Sequence, residues 1–434
     1  MGGFLLGKHH EKNYTVASMR YIIDFHSHSR YSRACSKNLT IPNISRACEL
    51  KGIDIIGTAD FTHPKWIREC EENLKEVSEG LFGLKDGSSK TKFMLATEVA
   101  CIYKQGGATR RLHLVLLAPS FQAVHKLIKV LEAQGRNLHS DGRPILGLSG
   151  KELLSILLEI DPRFEMIPAH AWTPWFAVFG SKSGFDSLEE CFEELTPHIH
   201  AIETGLSSDP IMNWQLSALD NITLVSNSDA HSPDNFGREA NVMDLENPSY
   251  DDILNVIRKK DREKFLYTIE FYPEEGKYHA DGHRDCDVML APEETAKLKG
   301  ECPKCKKPLT VGVRNRVNEL ADRAHGFEPE NKIPFKHIVP LRETISAVVG
   351  VGKKSKKVAG IYDRLVGVIG NEFEILLDLP IERIEQATNK HIAEAVKRVR
   401  EGNVFVSPGY DGVYGTVSVT KPGETMGVKQ LSLV

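Results

Sequence analysis

The chain has 434 residues, of which 41% are hydrophobic and 26% are charged. This composition excludes a mostly disordered, collagen-like or disulfide-stapled chain, and the length predicts about three domains. The 55 Lys and Arg nearly balance the 59 Asp and Glu, which gives a formal net charge of −4. Binding to a polyanion would therefore have to come from local clusters of basic residues.

The sequence shows neither a membrane-spanning segment nor a signal peptide. No apolar run approaches the roughly 18 residues that span a bilayer, and residues 1–18 lack the pattern of a signal peptide. We therefore expect a cytoplasmic protein with no membrane partner. Because an apolar strand follows directly after Met19 and Arg20, we expect the first folded domain to begin at Met19.

Seven short apolar segments predict β-strands, and amphipathic stretches predict helices between them. The strands are expected at residues 21–25, 53–60, 92–98, 111–118, 165–170, 198–204 and 223–230. The helices are expected at residues 41–51, 121–133, 151–160 and 211–219. Repeated strand–helix units predict a parallel sheet, and this many units favour a closed β/α barrel of about seven strands over an open doubly wound sheet. We assign this α/β domain to residues 19–270.

The remaining chain changes character twice. A short segment rich in His, Cys, Lys and Gly predicts a zinc-binding module at residues 271–326. Residues 327–420 read as a helical domain, with helices expected at 341–349, 356–369 and 381–401 and a closing hairpin at 409–419. Residues 421–434 are left as a tail.

Polar residues stand at or beside the ends of the predicted barrel strands, where a β/α barrel places its active site. They are His26, His28, Asp60, His63, Glu98, His113, His170, Asp229 and His231. Imidazoles and carboxylates that converge from several strands can hold two or three divalent ions, such as Zn, Mn or Mg, and a shared carboxylate can bridge two of them. A single His at a strand end is usually structural, but several pairs at one end are improbable as an accident.

These motifs resemble those of the PHP family, the polymerase and histidinol phosphatase metallohydrolases, over about half of the chain. The resemblance implies phosphoester hydrolysis, with Glu98, Asp229 and His170 as catalytic residues and Glu98 as the bridging carboxylate. The implied metal ligands are His26, His28, Glu98, His113, His170, Asp229 and His231. The family has a His directly after the Asp of the second motif, whereas Phe61 stands there in this chain and leaves His63 as the substitute. A further family His after the first motif is missing, so two metals can suffice.

A second group of metal-binding residue types predicts a structural zinc site. His283 and Cys286 are followed, after fifteen intervening residues, by Cys302 and Cys305. Two such pairs at this separation can enclose one tetrahedral zinc ion and leave no open position for catalysis. His279 is the competing fourth ligand.

Several residues are candidates for contact with DNA. Residues 345–354 and the helical pattern after them resemble a helix-hairpin-helix, whose backbone N–H groups and lysines could hold a phosphate; a merely solvated lysine cluster is the alternative. Two arginines lie in a polar loop, and two tryptophans near the expected barrel mouth could stack on a flipped base or belong to the core or a lid. The candidates are Gly350, Gly352, Lys353, Lys354, Lys356, Lys357, Arg136, Arg143, Trp172 and Trp175. The segment is not an ATP-binding P-loop, because Ala347 and Lys354 occupy the positions of its first Gly and its Ser/Thr.

The last five residues, from Gln430 to Val434, are similar to the peptide by which bacterial proteins dock on the DNA sliding clamp, with Val434 replacing an aromatic residue. An ordinary disordered terminus is the alternative.

The order of barrel, zinc module and helical domain resembles that of a DNA-repair nuclease within the PHP family. That likeness implies cleavage of the phosphodiester on the 5′ side of a deaminated base (hypoxanthine, uracil or xanthine) or of an abasic site. The alternatives are a small-molecule phosphatase of histidinol-phosphatase type and a noncatalytic accessory protein that binds DNA or the clamp.

Overall fold

A computed structural model describes residues 19–420 of the chain. The predicted clamp-binding peptide at residues 430–434 lies outside the described residues. Within the described range no helix is long and apolar enough to cross a membrane.

Residues 19–270 form eleven of the strands in the described chain. These are β1 (Met19–Asp24), β2 (Ile55–Gly57), β3 (Leu74–Ser78), β4 (Leu81–Leu84), β5 (Lys92–Gln105), β6 (Ala108–Ala118), β7 (Glu165–Pro168), β8 (Ala201–Glu203), β9 (Thr223–Val225), β10 (Ala240–Leu245) and β11 (Phe265–Glu270). The helices among them are α1 (Ile41–Lys51), α2 (Pro64–Asn73), α3 (Phe121–Ala133), α4 (Gly150–Ile160), α5 (Leu188–Phe192), α6 (Pro210–Asn213) and α7 (Tyr250–Arg258).

Seven of these strands, the seven predicted from the sequence, form a closed ring. β1, β2, β5, β6 and β7 pair in succession, and β8 pairs with β9. The Ala171 N–H donates to the Glu203 carbonyl at 2.9 Å and joins the end of β7 to β8. A bridge between Ser27 and Ala230 joins the ends of β1 and β9. The predicted β/α barrel is thereby confirmed.

The prediction of a parallel sheet is wrong for β5, β6 and β7, which pair antiparallel. Gly106 and Gly107 connect β5 to β6 with φ of 60° and 77°, a left-handed backbone that forms a tight hairpin turn. A two-residue turn leaves no room for the crossover helix that parallel neighbours need. His113 consequently lies within its strand and not at a C-terminal strand end, opposite Ala100 of β5.

Four strands were missed by the sequence analysis, and they extend the sheet beyond the ring. β3 and β4 form a hairpin on β5, and β10 and β11 add antiparallel strands to β1. β3 has only one buried apolar position and β4 has only four residues, which weakens their pattern, and the polar residues Asn241 and Asp244 interrupt the apolar run of β10.

Helix bounds were predicted well where capping signals stand in the sequence. α1 and α3 match their predicted ranges, and α4 begins one residue early, where Ser149 and Glu152 form a capping box. The stretch 381–401 is two helices, because Asn389 caps a new helix with its side chain and Thr388 before it is not helical.

The C-terminal part contributes further elements. Its strands are β12 (Asp281–His283), β13 (Val288–Leu290), β14 (Phe335–His337), β15 (Phe405–Ser407) and β16 (Thr416–Ser418). Its helices are α8 (Pro292–Lys297), α9 (Val313–Leu320), α10 (Leu341–Val349), α11 (Lys356–Val368), α12 (Ile381–Ala387) and α13 (Lys390–Arg400), and a π-helical turn spans Glu374–Asp378. β14 pairs with β11 of the barrel sheet, so the domain boundary at residue 327 stays a prediction.

The turn of the β15–β16 hairpin docks on the zinc-binding segment. The Ala280 N–H donates to the Gly409 carbonyl at 2.9 Å. Asp411 accepts from the Arg284 N–H at 2.7 Å and from the Thr310 hydroxyl at 2.6 Å. The closing hairpin therefore fastens a segment more than a hundred residues earlier in the chain.

The C-terminal helices pack on the barrel through one continuous apolar core and a buried ion pair. Lys51 at the end of α1 lies 2.7 Å from Glu372, and their side chains are only 7% and 5% exposed. Glu372 also accepts from the Leu341 N–H and the Tyr362 hydroxyl. Next to this pair, a side chain at Gly52, whose φ is 87°, would clash with Asn371.

We expect Glu372→Ala to lower the free energy of unfolding by about 3 to 5 kcal/mol, because it leaves a buried ammonium group without its partner. Denaturant unfolding of the variant and the wild type measures the change. The exposed pair of Glu328 and Lys332 supplies the control, since Glu328→Ala should cost less than about 1 kcal/mol. Equal midpoints for Glu372→Ala and the wild type would contradict this expectation.

Candidate active site

The predicted site residues meet at one mouth of the barrel ring. His26 and His28 follow β1, Glu98 lies in β5 and His113 in β6, and His170 and Asp229 follow β7 and β9. Asp60, His170 and Asp229 have φ of 42°, 30° and 44°, a left-handed backbone that is uncommon for residues with a side chain. Strain of this kind concentrates at functional sites, where surrounding structure enforces it.

A first ligand group consists of His26, His28, Glu98 and Asp229, whose ligand atoms all lie within 4.8 Å of one another. His26 Nε2 is 3.6 Å from both Glu98 Oε2 and Asp229 Oδ1, and His28 Nε2 is 3.0 Å from Asp229 Oδ1. The His26 Nε2 atom is buried and has no hydrogen-bond partner within residues 19–420. A buried imidazole nitrogen aimed at two carboxylates fits a divalent cation between them.

A second ligand group consists of Glu98, His113 and His170. Glu98 Oε1 lies 2.8 Å from His113 Nδ1 and 3.3 Å from His170 Nε2, whereas its Oε2 faces His26 and His28. One carboxylate thus presents one oxygen to each group. This is the arrangement that a carboxylate bridging two metal ions requires.

The electrostatics of the site favour cations. Burial alone would lower the pKa of His26, but the carboxylates of Glu203, Glu98 and Asp229 raise this pKa well above its ordinary value. Burial alone would raise the pKa of Glu98, yet His113, Arg143 and His26 hold the pKa well below its usual range. Burial lowers the pKa of His113 to about 4, more than Glu98 can compensate, so this imidazole is neutral and available as a ligand near neutral pH.

Glu203 is a site residue that the sequence analysis missed. Its carboxylate contacts His26 Nδ1 at 3.0 Å and accepts from the His170 N–H at 2.7 Å and from Asn227 Nδ2 at 2.9 Å. It therefore orients the His26 imidazole, as carboxylates behind metal-binding histidines commonly do, and it fixes the backbone at His170. Its position at the end of the sixth predicted strand was the available signal.

Three predicted ligands lie beside the two groups but belong to neither within the described chain. Asp60 accepts hydrogen bonds from the Ser29 N–H and from the Ser32 hydroxyl, both at 2.8 Å, and contacts His28 Nδ1 at 3.4 Å. The His63 ring stacks on Tyr31 at 4.5 Å. His231 Nδ1 donates to the Asp229 carbonyl, and its ring lies 4.4 Å from His28. The assignment of these three as ligands stays a prediction.

Of the two predicted arginines, one enters the site. Arg143 Nη1 donates to Glu98 Oε2 at 2.8 Å, and its side chain is 25% exposed at the mouth. Arg136 is half-buried and lies beside Gly147.

The two predicted tryptophans differ in the same way. Trp172 is fully buried, packs on Phe179 and donates to Asn213 Oδ1 at 2.8 Å, so the prediction that it stacks on a base is wrong. Trp175 is 39% exposed and lies edge-on against Tyr278.

The second predicted metal site also assembles. The ligand atoms of His283, Cys286, Cys302 and Cys305 lie within 4.8 Å of one another, and His279 is not part of this group. The β12–β13 hairpin delivers His283, and Cys302 is buried beside Val288 and Leu309. This geometry fits a four-ligand zinc ion.

The chain is similar in sequence to two protein families and to two proteins of known sequence. Residues 340–403 match the family described as MJ0043 C-terminal domain, and residues 214–261 match the family described as PHP-associated. The chain is 31% identical over 256 residues to the protein MJ0043 of Methanocaldococcus jannaschii, a match that covers 57% of this chain and 31% of that protein. It is 28% identical over 388 residues to the protein YqxK of Bacillus subtilis (strain 168), covering 88% of this chain and 93% of that protein.

The structure resembles that of the lesion-specific endonuclease PfuEndoQ from Pyrococcus furiosus, with a TM-score of 0.82, 31% identity and coverage of 93% of this chain and 96% of that one. The chain belongs to the endonuclease Q family. A second endonuclease Q structure, a complex with a 27-mer duplex substrate that carries an abasic lesion at the active site, matches with a TM-score of 0.81 and 32% identity over 92% of this chain and 96% of that one.

Membership of the endonuclease Q family makes the chain a hydrolase of the endonuclease class, as predicted. The family assignment also agrees with the predicted PHP-type barrel and its helical C-terminal region. The phosphatase and the noncatalytic accessory protein, which the sequence left open, do not fit an endonuclease Q.

The predicted helix-hairpin-helix corresponds to α10, α11 and the residues that connect them. Gly350 ends α10 with φ of 67°, and the Ser355 side chain caps α11. The four lysines are exposed, and Lys353 pairs with Glu343 at 2.6 Å. A basic surface is thus present at the N-terminus of α11.

Proposed function

We propose that the chain nicks DNA at the phosphodiester 5′ of a deaminated base, namely hypoxanthine, uracil or xanthine, or of an abasic site. The observation that carries this proposal is the division of the Glu98 carboxylate between two ligand groups at the barrel mouth. The lesion-bearing duplex in the related endonuclease Q complex supports DNA as the substrate.

Two divalent ions, Zn, Mn or Mg, fit the two ligand groups, one ion to each. When bound, such ions lower the pKa of water and offset charge on the phosphoryl oxygens of the scissile group. Asp229, Glu98 and His170 are the proposed catalytic residues, because they bring ligand atoms to the two groups from β5 and from the ends of β7 and β9. Asp60 and Glu203 act through the imidazoles that they orient.

Arg143 supplies a fixed positive charge on the substrate side. Its guanidinium contacts Glu98 Oε2 while part of the side chain stays exposed at the mouth. A guanidinium in this position can donate to a phosphoryl oxygen and so stabilise charge that develops during cleavage.

A lesion must leave the base stack before its 5′ phosphate can reach a recessed site. The exposed Trp175 and the half-buried Tyr278 form an aromatic platform. The backbone at Trp175 is tied to the site because the Thr173 hydroxyl contacts both its carbonyl and His170 Nδ1. We assign this platform to the displaced nucleotide.

The remaining predicted features have supporting roles in this proposal. A structural zinc ion bound by His283, Cys286, Cys302 and Cys305 holds the module together, and the lysines after α10 contact DNA phosphates. The sequence of residues Gln430 to Val434 is the basis for proposing that this peptide docks on the sliding clamp.

The test is a nicking assay with purified protein and Mn²⁺, Mg²⁺ or Zn²⁺. End-labelled duplexes carry uracil, hypoxanthine, xanthine, an abasic site or no lesion, and a generic phosphomonoester is tested in parallel. We expect a single nick 5′ of a lesion. Equal cutting of the undamaged duplex, or phosphate release from the monoester alone, would refute the proposal.

For the lysine surface, replacing Lys353, Lys354, Lys356 and Lys357 with Ala should weaken binding to damaged and undamaged duplexes by the same factor, because phosphate contacts carry no sequence information. The log–log salt dependence should flatten by about 0.9 for each phosphate that the variant no longer neutralises. Titrations at several salt concentrations measure both effects. The exposed Lys126 and Lys129 of α3, changed to Ala, serve as the control, and an unchanged slope in the fourfold variant would place its lysines on a solvated face.

A further inference from the structure

A polar pocket lies at the far end of the β5–β6 hairpin, away from the metal groups. Glu98 and His113 mark the level of the metal site on the two strands. From Glu98 the hairpin runs on for seven more residues to Gln105, roughly 20 Å at the rise of a strand. Because β5 runs toward the barrel mouth, this arm projects on the side from which a substrate must approach.

The pocket has a volume of about 230 Å³ and lies between the hairpin tip and the loop at residues 180–186. Thr109, Arg110, Ser181, Lys182 and Arg316 are among its lining residues. The chain segment that leads from His170 to this loop stays next to the metal site, because the His113 N–H donates to the Phe176 carbonyl at 2.9 Å. The pocket and the metal groups therefore share two structural elements.

In the described part of the chain, only one of the three cationic side chains in the pocket is paired with carboxylates. Two carboxylates line it, those of Asp186 and Glu319, and both pair with Arg316. Arg316 also donates to the carbonyls of Phe179 and Phe185, which braces the loop from α9. This leaves the cations of Arg110 and Lys182 without a carboxylate partner within residues 19–420.

Arg110 is held ready for a ligand. Its guanidinium lies 4.2 Å over the Phe185 ring, and an Nη1–H group donates to the Gly184 carbonyl. Its Nε is buried and has no hydrogen-bond partner in the described chain. Such an orphaned donor is costly unless a ligand or water satisfies it. Lys182 is exposed at the rim, and the Thr109 and Ser181 side chains add hydroxyl groups.

We propose that this pocket binds a backbone phosphate of the DNA duplex, at a distance from the scissile phosphate. Two cations and two hydroxyls match a phosphate group, which takes charge-assisted hydrogen bonds. Arg110 is three residues from His113 on β6, about 10 Å, which equals the rise of about three nucleotides along the duplex axis. The inference rests on the proposed nuclease function and adds a contact that fixes where the duplex lies relative to the metals.

The test couples a protein charge to a single DNA charge. A neutral methylphosphonate replaces one phosphate at a time, within about five nucleotides of the lesion on either strand, and binding is titrated for each duplex. The variants are Lys182→Ala and Arg110→Gln. Lys104→Ala is the control, because Lys104 is exposed on the same hairpin opposite Thr109 but does not line the pocket.

We expect the wild type to lose affinity by about tenfold at one position two to four nucleotides from the scissile phosphate. Lys182→Ala and Arg110→Gln should lose a similar factor on the unmodified duplex and show little further loss at that position, whereas Lys104→Ala should behave as the wild type. Losses that add at every position would overturn the inference. A wild-type chain that neither binds nor nicks the duplexes would overturn the proposed function as well, whereas normal nicking with no coupled position would overturn the pocket alone.

Discussion

Replacing Glu98 with Gln should lower the nicking rate by at least about 100-fold, beyond the 10- to 100-fold typical of residues that only orient metal ligands. The amide keeps the shape of the side chain but removes the charge that both ligand groups share. It also removes the carboxylate partner of Arg143. Single-turnover nicking, together with elemental analysis of the bound metal, measures the effect.

The control is Glu165→Gln. Glu165 is equally buried but lies outside the site, where it contacts His200 and Arg258. Its replacement tests whether the loss of any buried carboxylate reduces the rate. Asp229→Asn should repeat the result of Glu98→Gln from the first ligand group alone. A Glu98→Gln enzyme within a few-fold of wild type and with full metal content would refute the cluster assignment.

The second large effect is expected at the zinc module. Cys302→Ser should release one zinc ion and unfold the module, because zinc bound by four protein ligands contributes roughly 10 to 16 kcal/mol of apparent binding energy to folding. Cys302 is the buried member of the group and lies among the few apolar side chains of this segment. Zinc stoichiometry and limited proteolysis measure the release and the unfolding.

Cys191→Ser is the matched control, because Cys191 is also buried but has no metal-binding neighbours in the described groups. A pair of further variants separates the two candidate histidines. His283→Ala should reduce zinc content, and His279→Ala should not, since only His283 lies with the three cysteines. Unchanged zinc in Cys302→Ser would require a different ligand set.

Much of the barrel could be predicted because its information is local. Each of the seven ring strands is an apolar run bounded by turn residues, and the polar residues after these runs are adjacent in sequence to the strands that position them. A residue that directly follows a strand must lie close to the end of that strand in space. For this reason His26, His28 and Asp229 meet in the structure as their motifs predict.

The remaining features depend on contacts that no local pattern encodes. The direction of β6 is set by two glycines, and a strand pattern is the same in either direction. Trp172 and Trp175 are three residues apart in one loop, and only tertiary packing buries one and exposes the other. Glu203 and the pair of Lys51 and Glu372 act across long sequence separations, where a single sequence gives the residue type but not its partner.

The docking of the closing hairpin on the zinc-binding segment has a consequence for biosynthesis. Residues 409–411 supply a carbonyl and a carboxylate to Ala280, Arg284 and Thr310. A nascent chain on the ribosome completes the barrel and the four zinc ligands well before these residues emerge from the exit tunnel. The metal-binding segment is therefore synthesised well before the residues that dock on it. Its tertiary contacts can form completely only after the β15–β16 hairpin has been translated.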